Sequence, residues 1–176
     1  FSYATSPYLG NTENSDLYIM DVEGIRSSDL NVNHPDVLAA TIASAKAYAD
    51  AGVDGIEYDV DGWAAGMGSF DSTSLAEFNA WLVVKKGYSQ AELDGIFDTT
   101  FDQATFDYRS YLVSKGVSKD NYYAGETNQS AHFRLWRAFN NYQEQVTTEA
   151  LITSVNSYAS ETLGREIEFY FNRYGF

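Results

Sequence analysis

The sequence predicts an α/β fold assembled from β/α units, a TIM-barrel-like (β/α) fold present in part, with a helical insertion after an early strand. Three observations carry that expectation. Residues 46–63 read as a helix end, a glycine stop at Gly52 and a short strand running into acids, which is the grammar of a β/α unit. Glu57, Asp59 and Asp61 then follow at a spacing of two, so an extended strand puts them on one face, opposite Ile56, Tyr58 and Val60. Strand-like and helical segments also alternate along the chain, as a parallel sheet with crossover helices requires.

Taken in order, the first strand is expected over 16–23, mostly buried, with Asp21 and Glu23 near its C-terminal end and Gly24 closing it. A polar loop leads to a helix starting near Pro35, a residue suited to the first helical position. Val37, Leu38, Thr41, Ile42, Ala45, Tyr48 and Ala49 recur at helical spacing and give that helix one buried face. The strand 54–60 follows at once, and the crossover rule makes it a parallel neighbour of 16–23. Beyond Trp63 a glycine-rich loop precedes three short helices, near 75–86, 90–96 and 103–115. The first two are signalled by the capping boxes Ser74-x-x-Glu77 and Ser89-x-x-Glu92. Residues 62–120 thus form a helical insertion on the expected active-site face, where barrel insertions build walls. A short strand at 121–124 ends at Gly125-Glu126, residues 130–163 read as helix with a break or bend within, and 166–172 alternates as a final strand. Trp81 and Trp136, at helical spacing with Phe78 and Phe133, are expected in the core.

Composition sets the limits. A complete eight-fold barrel needs about 250 residues; these 176 make a single, partial domain spanning 1–176. At 44% hydrophobic residues the chain is not a disordered one. A net charge of −14 and a pI near 4.3 repel nucleic acid and anionic membranes, and no apolar run is long enough to span a bilayer. With no cysteine there is no thiol nucleophile, disulfide or cysteine-ligated zinc, and two isolated histidines do not make a histidine zinc site. A Gly-x-Ser-x-Gly elbow is missing, and no lysine at a strand end supports a Schiff base. Neither metal nor cofactor is expected.

Asn33-His34-Pro35-Asp36, the helix after it and Ala51-Gly52-Val53-Asp54-Gly55-Ile56-Glu57-Tyr58-Asp59 resemble a recurring pattern of glycoside hydrolases of the (β/α)8-barrel type. Gly68-Ser69-Phe70-Asp71 through Leu75, Phe78, Trp81 and Leu82, then Phe106-Asp107-Tyr108-Arg109, Tyr111-Leu112 and Gly116, are similar to the insertion in β-galactosidase-like members. The resemblance covers roughly residues 33–116. It implies cleavage of a glycosidic bond by two carboxyl groups, retaining or inverting according to their separation. Asp59 matches the acid that closes the strand motif; the motif does not fix the second acid.

Asp59 is therefore the leading catalytic candidate, as acid/base, nucleophile or sugar-hydroxyl acceptor, against a plainer role capping a loop. Glu126 is the candidate partner acid on the next strand end. Asp61 stands as a substrate-binding candidate, although Asp-Gly is also a common turn dipeptide. Glu57 lies deeper and reads equally as a hydrogen-bonded strand residue. Glu23 shares the expected barrel mouth, Asn172 follows the last strand, and Trp63 on its glycine-rich loop is placed to stack on a sugar face. The expected function is hydrolysis of a neutral poly- or oligosaccharide outside the cell, extracellular or periplasmic. The alternative is a non-catalytic carbohydrate-binding or structural barrel remnant. Open sheet edges would call for the remainder of the barrel or another chain as partner.

Overall fold

The computed structural model describes residues 9, 13–59, 68–122 and 129–172, with backbone alone at 58–59 and 171–172. Among them lie two small sheets and five α-helices: β1 (Tyr18–Met20), β2 (Arg26–Leu30), α1 (Pro35–Asp50), β3 (Gly55–Asp59), α2 (Ser72–Ala80), α3 (Gln90–Phe97), α4 (Tyr108–Ser114), α5 (Ala131–Tyr158) and β4 (Glu168–Asn172).

The barrel expectation is overturned. The described strands form two separate two-stranded sheets, β1–β2 antiparallel and β3–β4 parallel, and β1 is not a neighbour of β3. The cause sits in one turn. Asp21 Oδ1 accepts the Glu23 and Ile25 backbone N–H groups at 3.0 and 2.8 Å, and Gly24 takes a φ of +82° that other residues rarely adopt. The chain reverses there, and Tyr18 comes to face Leu30. What reads as a polar loop after Gly24 is strand β2. Its sequence, Arg-Ser-Ser-Asp-Leu, lacks the apolar alternation that marks a strand.

Local signals elsewhere hold. His34 caps α1 through Nδ1, which accepts the Asp36 N–H at 3.2 Å, and Pro35 opens the helix. Ser89 and Glu92 form the expected capping box of α3. The cap of α2 is different: Asp71, rather than Ser74, ends the approach, its Oδ1 accepting the Ser74 N–H at 2.9 Å. α2 then continues as a π-helical stretch, Trp81–Lys85. α5 runs unbroken for 28 residues, and the expected irregularity falls at its end, in π-helical Ala159–Leu163 before Gly164. At 121–122 the chain makes a turn, and 123–124 lie outside the described residues.

Two cores hang on α5. Its first half contributes Phe133, Trp136 and Phe139 to an aromatic cluster with Phe70, Phe78, Trp81, Phe97 and Tyr108. Trp136 is stacked on Phe70 and meets Phe78 edge-on, both at 4.9 Å between ring centres, geometries that add to simple area burial. The core role expected for Phe78, Trp81, Phe133 and Trp136 is observed. The second half of α5 gives Leu151 and Val155 to a smaller aliphatic core with Ala45 and Ala49 of α1 and Ile56 and Phe169 of the parallel sheet.

Candidate functional site

Parallel pairing brings together two of the residues singled out from sequence. β3 and β4 run in register from Gly55 opposite Glu168 to Asp59 opposite Asn172. Asp59 and Asn172 thus end neighbouring strands side by side, 113 positions apart in the chain (172 − 59). Each strand follows a helix through a short reversal and packs back against it, Ile56 and Phe169 on Ala45, Ala49, Leu151 and Val155. Glu57 and Tyr170 form the next pair along the ladder but one.

The other expected site residues are not added to this pair. Glu23 sits exposed on the β1–β2 turn of the other sheet, where its Oε1 accepts the Lys119 backbone N–H at 3.3 Å. Asp61, Trp63 and Glu126 lie outside the described residues, and for Asp59 and Asn172 only the backbone is described.

A buried polar seam that the sequence reading missed lies between α5, α2 and the 31–34 turn. Asp71 is fully buried. Its carboxylate accepts from Asn31 Nδ2 at 2.9 Å, from Ser74 N–H at 2.9 Å and from Ser74 Oγ at 2.7 Å. One turn further along α2, Glu77 accepts a hydrogen bond from the Gln143 carboxamide of α5. Burial pushes the Glu77 carboxyl above its ordinary range; Gln143 opposes this, Asp71 adds to it and His34 opposes it. Another turn along α5, Thr147 Oγ1 donates to Asn33 Oδ1 at 2.9 Å. Asn140, 1% exposed, completes the row, and neither its Oδ1 nor its Nδ2 has a partner among the described residues. Its carboxamide lies flat against Gly68, where an added Cβ would fall 2.4 Å from Oδ1.

The signal for this seam was present. Asn140, Gln143 and Thr147 recur at spacings of three and four, placing them on one helical face. Polar residues at that spacing look like a solvated face, and only the partners across the interface show them to be interior.

A second polar pair stands within the aromatic core. His132 Nδ1 lies 3.0 Å from Tyr108 Oη. Burial, with Lys115 adding to it, lowers the imidazole to about 4, while burial first raises the Tyr108 phenol well above its usual value. At neutral pH the ring is uncharged and the phenol keeps its proton, so Tyr108 donates and Nδ1 accepts. Phe97 stacks on the ring and Tyr111 meets it edge-on. This pair acts as a fixed polar tie in an apolar wall.

Among the described residues no group of three histidine or acidic side chains is arranged to hold a metal ion, and no helix is long and apolar enough to cross a membrane. Comparison with known protein families, curated proteins and solved structures yields no match. The site therefore has to be read from its own geometry.

Proposed function

We propose that this chain binds a neutral saccharide at the C-terminal ends of β3 and β4 and cleaves a glycosidic bond there, with Asp59 as the reacting carboxyl group. The observation that carries this reading is the register that sets Asp59 beside Asn172. An acid and a carboxamide at adjacent strand ends offer the two chemistries a sugar needs: a carboxyl for proton transfer or attack at the anomeric carbon, and an amide for a ring hydroxyl. The chain's net charge of −14 favours a neutral substrate over an anionic one.

The test is turnover of a panel of aryl glycosides by the parent chain and by Asp59→Asn. The expected loss is about a hundredfold or more, the scale of a displaced acid–base or nucleophilic carboxyl. Unchanged turnover in the variant would remove Asp59 from the mechanism.

A second reading, saccharide binding without cleavage, is favoured by the position of Glu23. The other described acid expected at the mouth belongs to the β1–β2 sheet and accepts a backbone N–H there, which leaves Asp59 without a described partner acid. Saturable binding of an oligosaccharide by the parent chain, with no product formed, would select this reading.

A further inference from the structure

The β1–β2 turn encloses a cavity that none of the saccharide chemistry uses. It measures about 100 Å³, and Ile19, Met20, Val22, Ile25, Phe70 and Tyr122 form its apolar wall. Phe70 and Tyr122 meet edge to face, 5.8 Å between ring centres, so the wall presents both a ring face and a ring edge. Ile25, at the rim, is 61% exposed. An apolar cavity of about 150 Å³ is known to hold a benzene ring; this one, open at its mouth, accommodates most of a ring with the substituent outside.

Cations collect at that mouth. Lys119 and Arg26 both line the cavity. Arg109 runs beneath the same turn, its guanidinium occupying the place a Gly24 Cβ would take and lying 3.9 Å from Met20 Sδ. The chain has only 11 lysines and arginines against 25 acids, and three of the 11 surround this one turn. The nearby acids are already engaged. Asp21 Oδ1 takes two backbone N–H groups, and Glu23 Oε1 takes the Lys119 N–H. The Lys119 ammonium reaches Asp21 Oδ2 only at 3.9 Å and is 62% exposed. The Arg26 guanidinium lies over the Tyr18 ring at 4.0 Å, a contact that leaves its in-plane N–H donors outward. Asp21 also lines the cavity and its Oδ2 faces the Lys119 ammonium, so an entering carboxylate competes with Asp21 for Lys119 while Arg26 offers a second cation at the mouth.

We propose that this cavity is a binding site for a small carboxylic acid with a compact aromatic body. The ring enters between Phe70, Tyr122 and Val22, and the carboxylate stays at the mouth on Lys119 and Arg26. Charge-assisted bonds to a guanidinium and an ammonium are the strong kind, and the shallow apolar wall supplies the rest. The site lies on the β1–β2 sheet, apart from Asp59 and Asn172, and does not depend on the saccharide reading.

Phenylacetate titrated into the full chain, followed by amide chemical shifts, tests it. The expected result is saturable shifts within 19–27 and at Gly68, Phe70 and Tyr122, with affinity about tenfold above that of phenylacetamide and no saturation by phenethylamine. Lys119→Gln and Arg26→Gln alter exposed side chains and should leave the fold intact; each is expected to weaken phenylacetate by about fivefold, and the pair by more than either alone. Phenylacetamide or phenethylamine binding as tightly as the acid would overturn the proposal. So would shifts that map elsewhere, their absence at about 10 mM phenylacetate, or an unchanged affinity in the double variant. A tetrapeptide ending in phenylalanine probes the other source of the same chemistry; if it binds more tightly than phenylacetate, a chain terminus and not a free acid is the ligand.

Discussion

Glu77 and Gln143 meet across the α2–α5 interface, the Gln143 carboxamide donating to the Glu77 carboxylate in a half-buried position. Because burial raises the Glu77 carboxyl, the native state holds this proton more firmly than the unfolded chain does. Ionised Glu77 therefore costs stability above the unfolded pKa of about 4.5, and the cost fades as pH falls through the raised native value. Glu77→Gln should unfold at a higher temperature than the parent at pH 7, with the gain vanishing near pH 4. Calorimetry across that range checks it, and a gain that persists at pH 4 would contradict the assignment.

His132 titrates in the opposite sense. Its native pKa lies near 4 against an ordinary 6.5, so the unfolded chain takes up the proton first as pH drops. The stability it secures is complete above about 6.5 and is lost between 6.5 and 4. The ring is only partly buried, so the loss is discounted to roughly 1–2 kcal/mol. In His132→Phe, urea midpoints measured at pH 7 and 4.5 should differ by less than those of the parent.

Asp71 holds the seam together from its centre. Replacing it with alanine removes the cap of α2 and strands Asn31 and Ser74 in the interior. The expected cost is about 3 kcal/mol, the sum of a lost N-cap and buried donors left unmade. Asp71→Asn, which keeps an acceptor for the Ser74 N–H, should recover part of it in chemical denaturation.

Gly68 and Asn140 make a tighter test. Gly68→Ala meets both a φ of +68° and the Asn140 carboxamide at 2.4 Å, and should cost about 2 kcal/mol or more. Asn140→Leu removes two polar atoms that have no partner among the described residues, and is expected to raise stability by about 1 kcal/mol. A double-mutant cycle of Gly68→Ala with Asn140→Ala should show coupling, because alanine at 140 clears the space that an added Cβ at 68 would meet. Additivity of the two changes would mean the residues do not touch.

Legibility in the sequence followed range. Pro35, the Ser89–Glu92 box, Gly164 and the alternation before Asn172 act within one helical turn or one strand, and each is found where expected. Strand β2 escaped because its sequence is polar up to Leu30 and its pairing is dictated by the Asp21–Gly24 turn. The barrel failed for the same reason: a local reversal took the first strand away from its expected parallel neighbour. Asp59 and Asn172 were each singled out, yet their adjacency rests on a ladder joining distant strands, which no local pattern records. The seam went unseen because Asn140, Gln143 and Thr147 earn their burial only from residues on other elements. Asp71 shows how close such signals can run, since its carboxylate captured the Ser74 N–H that a Ser74–Glu77 box would have given to the Glu77 carboxylate.

The length of α5 has a consequence for how the molecule comes apart. One rigid rod of 28 residues, about 42 Å from end to end, is bolted into the aromatic cluster at one half and the aliphatic cluster at the other. Fraying that begins among Leu151 and Val155 cannot spread without straining the anchorage at Phe133 and Trp136, and the reverse holds equally. The two clusters are thereby yoked into a single cooperative transition, and a proline placed midway, at the Gln143 turn, would uncouple them into two.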